Sequence, residues 1–216
     1  MPRLRSFDLP HKALRNVIAK FSFHLGSANP SDPAELVSLK QLANEMFTLL
    51  HNHVHTENEH TLSLLETRAP GSGDHDRADH VRLEVIQDEL QHRIEQLTGH
   101  EDPDTLHILY LDFSRYHSQY LEHIFEEETV TELLLQKHFT DEELMQQRAI
   151  IMQHIEFPIM LLWLKYAVPA QRLESNVALL SGFKANAPAG VFDQVMNTIR
   201  GEMEEEAFSK LNDRLS

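Results

Sequence analysis

His53 and Glu57, four residues apart, are echoed later in the chain by His123 and Glu127, again four apart. Both pairs interrupt stripes that otherwise read as core. At roughly 100° per residue, one stretch aligns Ala43, Met46, Leu50, His53, Glu57 and Leu64. The other aligns Leu109, Phe113, Tyr116, Tyr120, His123, Glu127, Val130 and Leu134. Such a chain has to form two long helices that aim imidazoles and carboxylates inward. A carboxylate left there without a partner costs several kcal/mol, so packing alone does not explain these positions.

Two further stripes carry one inward histidine each. One runs His11, Leu14, Ile18, Phe21, Leu25, and the other Asp76, His80, Leu83, Leu90, Ile94, Leu97. The neighbouring His51, His55 and Glu59 fall off the second helix's apolar face, and His75 lies about 140° from His80 and is expected in solvent. Imidazole with carboxylate suits iron, manganese or zinc, whereas calcium takes an all-oxygen shell. Four histidines and two glutamates exceed the needs of one tetrahedral ion. They suit two ions sharing bridging carboxylates, with positions left for a small ligand. A rise of about 6 Å over four residues lets a histidine hold one ion while its glutamate reaches the next. Tyr116 and Tyr120 read as core aromatics, and Tyr120, one turn from His123, is placed to donate to a metal-bound ligand. With no cysteine in the chain, disulfides, thiolate zinc sites, iron–sulfur ligation and thiol catalysis are excluded.

The 216 residues, 41% hydrophobic, suffice for a packed core, and only seven glycines and nine prolines punctuate long helix-forming stretches. No run alternates with period two, so the fold class expected is all-α. Helix one should start near Asp8 as N-cap and stop near Gly26. Helix two should run from about Asp32 to Thr67, helix three from Asp74 to Leu97 with Gly99 as its stop signal, and helix four from Pro103 to about Lys137. Thr140 to Glu143 spells a capping box for a fifth helix that reaches Val168 with a kink at Pro158. A sixth covers about Ala170 to Ser181, and one or two more follow the break at 187–190. Short connections favour an antiparallel up-down four-helix bundle over residues 1–145, with a C-terminal helical extension over 146–216. That extension, rich in isoleucine around Ile150, Ile151, Ile155 and Ile159, should pack on the bundle or on a second subunit as a homodimer. A lid over the site is the sharper alternative.

The formal net charge of −15 argues against nucleic acid and anionic membranes as partners, since both need a cationic surface. The start, MPRLRSFDLPHKALR, has no apolar core of a secretory signal, and the segment from Phe157 to Leu164 falls short of the roughly 20 residues of a membrane span. A cytoplasmic location is expected.

Taken together, His11 in HKALR, His53 and Glu57 in HVHTENEH, His80 in ADHVRLE, and His123 and Glu127 in HIFEEE followed by FTDEEL resemble the hemerythrin-like, or HHE cation-binding, proteins over about residues 8 to 145. The resemblance implies a non-haem di-iron centre with His11, His53, His80 and His123 as terminal ligands and Glu57 and Glu127 as bridges; zinc or manganese are the substitutes. Oxygen-carrying members use a fifth histidine one turn before the helix-three ligand and an aspartate as one bridge. Asp76 stands at that fifth position here, and helix four supplies a glutamate. The pattern is closer to the four-His, two-Glu branch, which includes iron–sulfur repair proteins and an iron-sensing subunit of a ubiquitin ligase. The resemblance implies binding of oxygen, nitric oxide or peroxide in stress response or redox sensing. The alternatives are an enzyme reducing peroxide or nitric oxide, and iron storage or sensing.

Overall fold

A computed structural model describes residues 3–216, and among these the regular structure is helical throughout, with no strand. The first helix is α1 (Asp8–Ser27). The second rod joins α2 (Pro33–Thr56), a π-helical turn (Glu57–Leu62) and α3 (Ser63–Glu66). The third is α4 (Asp74–Glu95), and the fourth joins α5 (Pro103–Glu126), a π-helical turn (Glu127–Thr131) and α6 (Glu132–His138). Asp32 and Asp102 cap the second and fourth rods by accepting from the amides of Ala34, and of Asp104 and Thr105, with a proline directly after each cap. The first rod departs from expectation. Asp8 lies inside its first turn and pairs with Lys12, while the amides of Ser6 and Phe7 donate to the Glu132 carboxylate from the fourth rod. The helix start is thus tied across the molecule rather than capped locally. Gly99 takes a φ of +86°, and a Cβ there would sit 2.6 Å from the carbonyl oxygen of Pro30, so the turn between the third and fourth rods requires glycine.

The rods pack in a closed ring, α1 on α2, α2 on α4, α4 on α5 and α5 back on α1. Their shared core includes Leu14, Phe21, Met46, Leu50, Leu90 and Phe113, each fully buried aliphatic or aromatic side chain contributing about 1.5–3 kcal/mol. A smaller apolar cluster of Phe7, Leu65, Leu135, Phe139 and Leu144 closes one end.

The two π turns begin at Glu57 and Glu127, the residues on which the sequence pattern turned. Each adds one residue per turn relative to an α-helix and shifts the buried face that follows. Leu65, not Leu64, is therefore fully buried in the second rod. In the fourth rod Thr131 and Leu135 are buried where Val130 and Leu134 were expected, and Val130 is 55% exposed.

The C-terminal part also differs from the expected kinked helix. Thr140 and Glu143 do form the reciprocal capping box, but α7 (Asp141–His154) ends before an extended Glu156, and α8 (Phe157–Ala167) carries Pro158 in its first turn. A proline ring inside a continuous helix would strike the carbonyl of the residue four back; at a helix start its missing N–H costs nothing. The proposed boundary at residue 145 falls inside α7. After a 3-10 turn (Val168–Ala170), whose Val168 carbonyl accepts from Asn176, come α9 (Leu173–Asn186), later than the expected span from Ala170, then α10 (Val191–Arg200) and α11 (Glu205–Leu215). Helix α8 lies along α1 and α2 and delivers Tyr166 and Ala167 to the main core, while α8 to α11 form a second apolar cluster of their own. Among the described residues no helix is long and apolar enough to cross a membrane.

Candidate metal centre

The six residues singled out by periodicity meet in one buried layer. His11, His53, Glu57, His80, His123 and Glu127 are each at most 6% exposed. The layer lies between the main core and the end cluster, and Phe7 of that cluster stacks on the His11 ring, 4.9 Å between centroids. His11 comes from the first turn of α1 and His80 from the second turn of α4, whereas the two His–Glu pairs come from the last turns of α2 and α5 and the π turns that follow.

Glu127 is at the centre. Its Oε2 faces the Nε2 atoms of His11 and His53 at 3.2 and 3.9 Å, and its Oε1 faces those of His80 and His123 at 3.2 and 3.0 Å. One carboxylate oxygen thus serves each pair of histidines. Glu57 Oε2 likewise lies 3.2 Å from His53 Nε2 and 3.8 Å from His80 Nε2. Two donor clusters result, His11–His53–Glu57–Glu127 and His80–His123–Glu127, and each could hold a metal ion.

The fit to a cation rests on orphaned atoms. His11 Nε2, His53 Nε2, His123 Nε2, both oxygens of Glu57 and Glu127 Oε2 are buried without a hydrogen-bond partner, although native proteins leave few buried polar atoms unpaired. They converge without bonding, as lone pairs aimed at a common point do. The outer nitrogens support the same tautomer. His11 Nδ1 is 3.0 Å from Glu128 Oε1, and Glu128 is itself clamped by Arg15; His80 Nδ1 is 3.0 Å from Asn58 Oδ1. Donating Nδ1–H outward leaves Nε2 free as a metal donor and fixes the ring. His123 Nδ1 lies 3.7 Å from Asp79 Oδ2, a looser arrangement.

The titratable groups of the layer shift in opposite directions. Burial lowers the His53 pKa to about 4, which keeps it neutral. Burial raises Glu57 well above the carboxylate range, and the neighbouring Glu127 charge pushes it further. Glu127 goes the other way: burial opposes its ionisation, but the four histidine rings around it outweigh that and hold it low. His11 is raised against the effect of burial by Glu127 and Glu128, and Glu128 is held at about 2, again against burial, by His11 and Arg15. Two carboxylates share a space in which protons must supply the positive charge. A metal cation held there would replace those protons as the balancing charge and allow both glutamates to ionise.

The two outlying candidates, Asp76 and Tyr120, sit beside this layer. Asp76 is buried and accepts from Thr131 Oγ1 at 2.7 Å, outside both clusters. Tyr120 is buried with its ring 6.0 Å from His123, and its hydroxyl has no hydrogen-bond partner. His75 is exposed and pairs with Glu126 at 2.8 Å. Sequence reasoning gave no part to Glu128, Asn58 or Asp79, which hold or approach the outer histidine nitrogens, nor to Arg15, which holds Glu128. The one available signal was Arg15, a turn after His11 and on the side of its ring.

Because the stripe turns His53 inward and leaves His55 in solvent, His53→Ala should lose bound metal, whereas His55→Ala should keep it. Metal content per chain after desalting checks this, and the reverse result would place the second rod in a different register.

No protein-family model, curated protein or solved structure matches this chain.

Proposed function

We propose that residues 8–138 form an antiparallel, hemerythrin-like four-helix bundle holding two iron ions, and that the centre binds oxygen, nitric oxide or peroxide in stress response or redox sensing. The ring of four packed rods supports the bundle, as does the placement of ligands at the starts of the first and third rods and toward the ends of the second and fourth. One observation carries the two-ion reading: the two oxygens of Glu127 each face a separate pair of histidines. His11, His53, His80 and His123 would be the terminal ligands, and Glu57 and Glu127 the bridges.

Bound iron would supply redox chemistry and open positions for a small ligand. The protein's own part is to aim four imidazoles, to offer two carboxylates that would balance cationic charge and to exclude bulk water. Asp76, held by Thr131, occupies the position of a fifth histidine without joining either cluster. That leaves the His80–His123 side without a further nitrogen donor. It favours reaction over reversible oxygen carriage.

Anaerobically reduced, iron-loaded protein should therefore take up oxygen stoichiometrically and not release it under vacuum. Oxygen uptake followed by electrode and by absorbance checks this. Release under vacuum would indicate oxygen carriage. Sustained consumption of peroxide or nitric oxide would establish the enzyme alternative, and inertness to all three would overturn the proposal in favour of iron storage or sensing.

A further inference from the structure

Helices α7 and α8 do more than cover apolar surface. With the start of α1 and the second rod they line a partly open cavity of about 260 Å³ that runs to His53 and Glu57. Its walls are mostly apolar, with Phe7, Leu144, Ile151, Met160, Trp163 and Leu164 among them. The Trp163 indole N–H is spent on Asn52 Oδ1 at 2.7 Å, so its ring is fixed as wall, with its centroid 6.5 Å from that of His53. The lining also presents buried polar atoms without a hydrogen-bond partner: Nε2 of His53, both carboxylate oxygens of Glu57, and Nε2 of Gln147.

Size decides the occupant. A cavity of about 150 Å³ lined by aliphatic and aromatic groups accommodates benzene, and a water takes up about 30 Å³ of liquid. Oxygen, nitric oxide or hydrogen peroxide would leave most of this space empty and its lining without contacts. Ligand sites built this way, apolar with a few converging polar groups, fix an organic molecule's body by packing and its orientation by hydrogen bonds.

We propose that this cavity binds a small amphipathic organic molecule, a single aromatic ring or an alkyl chain of about six to eight carbons, with its one polar group toward Glu57 and Gln147. The site beside the His–Glu layer then takes an organic ligand larger than a diatomic gas. This deepens the functional proposal by naming a ligand class, but the cavity is formed by the protein alone and its occupancy is measurable without turnover.

Fluorine NMR titration of 4-fluorobenzyl alcohol, with 1-hexanol as competitor, reads the occupancy directly, on protein as purified and after chelation. Saturable binding of one molecule per chain, displaced by 1-hexanol, is expected. Ile151→Trp, at a half-buried position on α7, should fill the cavity and weaken binding at least tenfold with metal content unchanged. Met160→Ala should enlarge it and shift preference toward longer alcohols, which keeps the test decisive if the tryptophan variant misfolds. Absence of saturable binding, or binding indifferent to both variants, would overturn the proposal. Metal analysis of the same samples separates the two readings: organic binding without metal refutes only the metal centre, and metal without organic binding refutes only the cavity.

Discussion

Replacing Glu127 with Ala is expected to empty the centre of both ions, the largest effect of any single substitution in this chain. The reason is geometric. Glu127 Oε2 faces the His11–His53 side and Oε1 the His80–His123 side, so one truncation removes a donor from each cluster and the charge that would balance both proposed cations. Glu128→Ala provides the contrast. Glu128 only orients the His11 ring through Nδ1, and loss of such an outer partner typically weakens metal affinity by about 10–100-fold. Elemental analysis at matched metal concentrations should thus show an empty Glu127 variant beside a weakened but saturable Glu128 variant. Equal behaviour of the two would mean that Glu127 is a structural carboxylate and not a bridge.

Removing the metal should lower the melting temperature markedly. The ligands come from four rods and meet only in the folded chain, so binding energy is linked to folding energy. With free metal about 1,000-fold above its dissociation constant, the linkage contributes about 4 kcal/mol. A chain of this size gains about 2–4 °C per kcal/mol, which gives a drop of roughly 8–16 °C on chelation. Part of the loss is offset because Glu57 is already driven toward its neutral form by burial and by Glu127 in the metal-free protein. Differential scanning calorimetry with verified metal removal tests this, and an unchanged transition would mean that the apolar core alone sets stability.

The six candidate ligands were legible in the sequence because up to Glu57 and Glu127 the rods are regular, and roughly 100° spacing tracks the buried face faithfully. Beyond those residues the same spacing misdirects. It selected Leu64, Val130 and Leu134, whereas the π turns bury Leu65, Thr131 and Leu135. Nothing in the composition of ENEHTL or EETVT announces a wider turn; its register is set by tertiary packing. The all-helical class followed from periodicity and from the scarcity of glycine and proline. Pro158 was seen correctly as an interruption but read as a kink, because local sequence does not distinguish a bent helix from a fresh start. Glu128, Asn58 and Asp79 escaped notice because an outer partner needs only to reach a ring nitrogen and follows no stripe. The cavity beside His53 was beyond reach for a related reason: its walls come from α1, α2, α7 and α8, brought together only by the fold.

The central claim is that Glu127 joins two metal sites. Anaerobic titration of metal-free protein with ferrous iron, followed by desalting and elemental analysis, addresses it most directly. Two ions per chain, lost together in the Glu127→Ala variant, is the result predicted; a plateau at one ion or none, with the fold intact, would contradict it.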